Sequence, residues 1–118
     1  MASHHTLGKK GEEIAAAYLR GKQYSILHTN WKYGRKEIDI IAKQGDTLVF
    51  VEVKTRSGQA FGMPEEAVNG LKEEHLRRVA ECYLEQFAPG SSDIRFDILA
   101  ITITVNNPME IIHFEDVF

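Results

Sequence analysis

Four charged residues stand inside two otherwise apolar runs, Glu37-Ile38-Asp39-Ile40-Ile41 and Val49-Phe50-Val51-Glu52-Val53-Lys54. Both runs read as strands, and an unpaired carboxylate or ammonium buried in such a strand costs several kcal/mol. Strand side chains alternate faces, so Glu37 shares a face with Asp39, and Glu52 shares one with Lys54. Carboxylates gathered on one patch repel one another, and Lys54 alone cannot neutralise three of them. A hard divalent cation can. Oxygen-only donors suit Mg²⁺ or Mn²⁺ with water filling the remaining positions, and no Cys/His cluster suggests zinc. A metal that acidifies a bound water, with a lysine beside it to orient the nucleophile or screen developing charge, suits phosphodiester hydrolysis. The competing reading is a set of cross-strand salt bridges on an exposed face, Glu37 with Lys54 and Asp39 with a neighbouring arginine. Against it, Leu48 and Phe50 fall on the Glu52 face and make that face partly apolar.

Whether the two pairs meet depends on one turn. If Gly45-Asp46 is a two-residue, glycine-first loop, Gln44 pairs with Thr47, and counting back sets Asp39 opposite Glu52 and Glu37 opposite Lys54. A three-residue loop sets Asp39 opposite Val51 and sends the charges to different faces.

The elements that must carry these residues follow from periodicity and punctuation. Residues 1–7 read as a flexible tail, and His4 and His5 are left out of metal chemistry. A helix is expected over about Lys9 to Arg20, with an apolar stripe of Ile14, Ala15, Tyr18 and Leu19 and a stop at Gly21. Glu12 and Glu13 then fall in its first turn, where acids ordinarily complement the helix dipole. Strands follow at about Ser25–Trp31, Glu37–Lys43 and Thr47–Thr55, an antiparallel meander. A flexible Arg56–Met63 segment leads to Pro64-Glu65-Glu66, a helix start, and the helix runs on Ala67, Val68, Leu71, Leu76, Val79, Ala80, Tyr83 and Leu84 to about Ala88-Pro89-Gly90. Two strands close the chain, Ile94–Val105 and Met109–Phe114, joined by Asn106-Asn107-Pro108. The order α-β-β-β-α-β-β is a mixed β-sheet flanked by helices, an α/β chain.

At 118 residues, 43% hydrophobic and 26% charged, the chain carries one ordinary globular core, so residues 1–118 are expected to form a single domain. No run reaches the roughly 20 apolar residues of a membrane span, and no secretory signal opens the chain, so no membrane partner and a cytoplasmic location are expected. The lone Cys82 builds no disulfide framework, fits a reducing compartment and reads as packing. The net charge of −3 conceals an asymmetry: residues 8–56 hold ten Lys/Arg against six Asp/Glu, and residues 57–118 hold four against eleven. In the basic half Trp31, Tyr33 and Tyr24 lie among Lys32, Arg35 and Lys36, a mix for phosphate contact and base stacking, or else a solvated surface with aromatics packed beneath it. His28, His75 and His113 lack metal-ligand spacing. Tyr83 and Phe87 read as core, and Arg95 and Asp97 as a pair along one strand.

At these residues the chain resembles the restriction-endonuclease-like superfamily, whose pattern is an acid on one strand and acid-x-Lys on the next: here Asp39, then Glu52-Val53-Lys54. More closely it resembles the bacterial YraN family, related to archaeal Holliday junction resolvases. That resemblance rests on Gly8-Lys9-Lys10-Gly11-Glu12, Asn30-Trp31, Glu37-Ile38-Asp39, the run from Asp46 to Arg56, Phe61-Gly62, Pro64-Glu65-Glu66-Ala67-Val68, Lys72, and Arg95-Phe96-Asp97, nearly the whole chain. Lys36 departs from it, standing where the family usually has glycine. The resemblance implies a restriction-endonuclease-like fold, Asp39, Glu52 and Glu12 as Mg²⁺ or Mn²⁺ ligands, Lys54 as the catalytic lysine, and Glu37 in a supporting role or as a partner of Lys54; Arg56 and Lys72, by residue type, are expected to contact substrate phosphate or else to be solvated. The activity expected is endonucleolytic cleavage of DNA at branched or single-stranded structures, with a homodimer suited to a symmetric junction. The alternatives are a non-catalytic nucleic-acid-binding module and a protein-interaction domain that retains a vestigial site.

Overall fold

A computed structural model describes residues 4–57, 73–87, 93–103 and 109–118 of the chain. The elements are α1 (His4–Gly21), β1 (Ser25–Tyr33), β2 (Lys36–Gln44), β3 (Thr47–Ser57), α2 (Glu73–Phe87), β4 (Asp93–Ile103) and β5 (Glu110–Phe114). The expected order holds. The strands form one mixed sheet in the order β1-β2-β3-β4-β5, antiparallel except for the β3–β4 pair. Parallel pairing requires a crossover, and α2 lies within it. The expected helix start at Pro64, the Asn106-Asn107-Pro108 turn and Lys72 lie outside the described residues. Among those described, no helix is long and apolar enough to cross a membrane.

Helix α1 begins earlier than its apolar stripe suggested, so His4 to Leu7 are helical and not a flexible tail. Its end also differs. Tyr24 N–H donates to the Leu19 carbonyl and Gln23 N–H to that of Arg20, with Gln23 at φ 70°. This is a Schellman closure whose left-handed residue is Gln23, while Gly21 is the last helical residue. The side of α1 that packs on the sheet is narrow: Gly11, Ala15, Ala16 and Leu19 are buried, while Ile14 and Tyr18 are half-buried at its margin. Small residues one turn apart let the helix backbone settle close to β3. A Cβ on Gly11 would overlap Thr55 Oγ1 and stand 2.8 Å from Thr55 Cβ.

The sheet's two faces feed two apolar clusters. Ala15, Leu19 and Tyr24 pack with Ile40, Ala42, Val49, Val51, Leu99 and Ile101 on the α1 side. Val79, Ala80 and Tyr83 of α2 pack with Ile38, Ile41, Leu48, Phe50 and Phe96 on the other. Tyr83 is buried as expected, but Phe87, the last residue of α2, is 41% exposed although its ring packs against His28, Trp31 and Tyr83. Alternation along β3 is regular, so Glu52 and Lys54 fall on the Phe50 face, as the sequence indicates.

Among the described residues one charged side chain lies fully inside. Asp97, 1% exposed, accepts from Arg95 Nε at 2.9 Å and Nη2 at 2.8 Å, from the Asp116 N–H at 3.0 Å, and lies 2.7 Å from His113 Nε2. Arg95 also donates to the Tyr24 hydroxyl at 2.7 Å. The expected Arg95–Asp97 pairing is therefore the centre of a larger network tying β4 to β5 and to Tyr24 in the α1–β1 connection. Burial alone would raise the Asp97 carboxyl, but the hydrogen bonds from His113, Arg95 and Asp116 outweigh it and hold the group below the ordinary range. Tyr24 is spent in this network and buried, so it cannot serve as the stacking surface its sequence neighbours suggested.

The close approach of α1 to β3 yields a test. Gly11→Ala gains helix propensity but overpacks the contact, and a net loss of about 1–3 kcal/mol in unfolding free energy is expected. Thr55→Ala in the same chain should recover part of it, since the hydroxyl and methyl that collide are removed. Denaturant titrations of the two single variants and the double variant measure the coupling; strictly additive losses would show that the two residues do not touch.

Candidate metal centre

The β2–β3 turn has the two-residue form. Gln44 pairs with Thr47, Gly45 sits at φ 60°, and the ladder runs through Lys43↔Leu48, Ala42↔Val49 and Ile41↔Phe50 to Ile40↔Val51. There it stops. Continued in register, the next hydrogen-bonded pair would join Val53 to Ile38. The Val53 N–H instead donates to Asp39 Oδ2 at 2.8 Å. The expected oppositions of Asp39 with Glu52 and of Glu37 with Lys54 therefore do not form as ladder pairs, because β2 has left β3 by that point.

The departure has a partner on the other side of β2. Strand β1 pairs Thr29 with Ile40 and Trp31 with Ile38, and the residue between, Asn30, takes φ 52° where Asp39 would face it. Left-handed backbone in mid-strand is a marked irregularity, and asparagine is among the few side chains that adopt it readily. Its effect shows in the packing. Ile40 belongs to the α1-side cluster and Ile38 to the α2-side cluster, although residues two apart on an even strand share a face. The alternation slips at Asp39, and Glu37 and Asp39 come to the side from which α1 brings Glu12.

Carboxylate oxygens of Glu12, Glu37 and Asp39 lie within 4.8 Å of one another. Glu12 and Asp39 are half-buried and Glu37 is exposed. With α1 starting at His4, Glu12 lies in its third turn, too far from the N-terminus to serve the helix dipole. Glu37, expected in a supporting role, lies within this group of carboxylates. Glu52 stands outside the three but near enough for its charge to be felt at Asp39. It lines a narrow pocket with Ile38, Phe50, Leu76 and Phe96 on the α2 side. Lys54 Nζ lies 3.9 Å from Glu52 Oε1, so the lysine's carboxylate partner is Glu52 and not Glu37. Arg56 follows, half-buried, two residues along β3.

The electrostatics match this geometry. Burial and then the charge of Glu52 push Asp39 from its ordinary 3.8 up to about 7, against the pull of the Val53 N–H, with Glu12 and Glu37 adding to the rise. Burial also raises Glu52; Lys54 opposes that rise, and Glu37 and Glu12 reinforce it. A carboxyl raised so far is one whose burial, reinforced by acidic neighbours, outweighs the one hydrogen bond that favours its anion. Three oxygen donors from two elements, held within one coordination sphere's width, fit a hard divalent cation, and the donor set contains nothing soft. Glu12, Glu37 and Asp39 would hold the ion, with Glu52 and Lys54 at its flank.

In metal-free protein the unfolded chain releases the Asp39 proton near 4, while the folded chain keeps it to about 7. The folded state therefore binds more protons across that window, and stability falls as pH rises through it. Glu52 acts in the same direction. Asp97, held low, contributes stability that is lost only below the ordinary carboxylate range. Thermal melts in chelator should give a lower Tm at pH 8 than at pH 5. Asp39→Asn, which can still accept from Val53, should flatten that slope and raise Tm at pH 8. Parallel curves for the two proteins would remove Asp39 as the source of the pH dependence.

The model of the uncharacterised protein family UPF0102 matches residues 11–101. A UPF0102 protein of Christiangramia forsetii is 46% identical over 120 residues, covering 100% of this chain and 98% of the relative. One from Phocaeicola vulgatus is 43% identical over 118 residues, covering 100% and 96%, and one from Caldicellulosiruptor saccharolyticus is 45% identical over 101 residues, covering 86% of each. The matched span includes Glu12, Glu37, Asp39, Glu52 and Lys54, and the likeness runs across the sheet and both helices: the chain belongs to the UPF0102 family.

Proposed function

We propose that this protein is a metal-dependent endonuclease of restriction-endonuclease-like architecture that hydrolyses DNA phosphodiester bonds at branched or single-stranded structures. The observation that carries the reading is the convergence of Glu12, Glu37 and Asp39 within 4.8 Å at the point where β2 parts from β3, beside the Glu52–Lys54 pair. A protein gains nothing in stability by gathering three acids, two of them half-buried; the arrangement makes physical sense as a cation site. Mg²⁺ or Mn²⁺ bound there would supply Lewis acidity and an acidified water.

The chain's own groups have distinct tasks. Asp39 is held by the Val53 N–H and contributes a carboxylate oxygen to the site. Glu12 arrives from a different element, so the donor set closes only when α1 is docked. Lys54 would place a positive charge toward the phosphoryl oxygens as a water oxygen bonds to phosphorus and gives a proton to solvent, the P–O ester bond breaks, and the leaving oxygen takes a proton from solvent. Glu52 restrains that ammonium and keeps it off the three acids. Cleavage of both arms of a symmetric junction would call for two copies of the chain, and a cytoplasmic setting agrees with the unpaired Cys82.

The test is cleavage of labelled single-stranded, duplex, flap and four-way-junction DNA with Mg²⁺ or Mn²⁺ and with chelator. Metal-dependent cutting is expected, falling about 100- to 1000-fold in Lys54→Ala, the usual worth of one charge-stabilising group. Because Lys54 is partly exposed, the fold should survive the change within about 0.5 kcal/mol. Absence of both cutting and salt-dependent binding on every substrate would remove the nuclease reading.

A further inference from the structure

Strands β1 and β2 are joined by a two-residue turn, with Tyr33 paired to Lys36, Gly34 at φ 63°, and Lys32 paired to Glu37. Tyr33 is 51% exposed and stacks on Trp31, with ring centroids 6.3 Å apart and planes 15° from parallel. Trp31 is braced edge-on by Tyr83 at 5.3 Å and Phe87 at 6.3 Å. The outermost ring therefore rests on a packed column of aromatics. Lys36 pairs with Tyr33 across the ladder, Arg35 stands in the turn and Lys32 faces the other side of the ribbon, three cations within five residues of a chain whose net charge is −3.

We infer that this hairpin tip is a docking site for single-stranded DNA, with an unpaired base stacking on Tyr33 and the adjoining phosphates contacted by Lys32, Arg35 and Lys36. The inference rests on the nuclease reading for its choice of DNA. A lone exposed tyrosine is unremarkable on a protein surface; this one is backed by a second ring and set among cations in an otherwise acidic protein. Stacking demands an open base face, which an unpaired nucleotide offers and the interior of a duplex does not. The tip also adjoins the carboxylates. Lys32 lies directly across the ladder from Glu37, and Tyr33 is one residue further along, roughly 3.4 Å of strand rise. A strand crossing the tip, base to the Tyr33 face and backbone to the Lys32 face, would pass beside Glu37.

Trp31 is the chain's single tryptophan, so its fluorescence reports on the column directly. Wild type, Tyr33→Ala, Tyr33→Phe and the triple variant Lys32→Ala/Arg35→Ala/Lys36→Ala would be titrated in chelator with labelled oligothymidine and with a duplex of equal length, following anisotropy and Trp31 emission. Oligothymidine should quench Trp31 and bind more tightly than duplex. Tyr33→Ala should weaken that binding about 5- to 150-fold, the worth of one stacked base, with Tyr33→Phe restoring it. The triple variant should flatten the slope of log affinity against log salt by about 2. Single-strand binding unchanged in Tyr33→Ala, or no preference over duplex, overturns the inference. Cleavage assays separate it from the reading it rests on. Cutting whose single-strand preference is the same in Tyr33→Ala sinks the docking site alone. Tyr33-dependent binding without cutting by wild type sinks the nuclease alone.

Discussion

One hydrogen bond organises the functional end of this sheet: the Val53 N–H donates to the Asp39 side chain in place of a ladder carbonyl. A β-ladder is self-propagating, since each pair sets up the next, and ending it without stranding a buried donor requires a substitute acceptor. Asp39 is that acceptor. By taking the bond it holds β2 and β3 apart, and it is itself held in one rotamer at the mouth of the gap. The same oxygen that terminates the ladder thus fixes a carboxylate among other carboxylates, and the rise of Asp39 to about 7 is the electrostatic cost of that placement.

Two further devices complete the arrangement. The left-handed Asn30 allows β1 to follow β2 through the slip in alternation, so that Ile38 packs against α2 while its neighbours Glu37 and Asp39 turn toward α1. On that side, Gly11 lets the helix approach Thr55 closely enough for the adjacent Glu12 to reach them. Neither device contributes a reacting group. Each decides where a reacting group can be.

The sequence was legible where local rules governed. Alternation and the glycine-first turn predicted the β2–β3 register through Ile40↔Val51 and the Phe50 face for Glu52 and Lys54. The element order follows from periodicity and turn residues. What the sequence did not disclose came from long-range packing. The stop of the ladder depends on a side chain replacing a backbone acceptor, which no strand propensity encodes. The promotion of Glu37 over Glu52 into the carboxylate trio follows from a backbone slip whose one sequence trace is Asn30 in mid-strand. The early start of α1 escaped because residues 4–7 lack apolar periodicity, and local sequence could not decide between an exposed and a packed Tyr24 because its hydrogen-bond partner Arg95 lies some seventy residues away.

The irregularities in β1 have a consequence for self-association. β1 is an outer strand of the sheet, and a flat outer strand invites a second molecule to continue the hydrogen-bonding pattern. Here the bulge between Ile26 and His28 and the left-handed Asn30 interrupt that edge twice within nine residues. A template broken so often cannot dock a regular strand. The distortion that turns the acids toward α1 thus also protects the protein against fibrous polymerisation along β1.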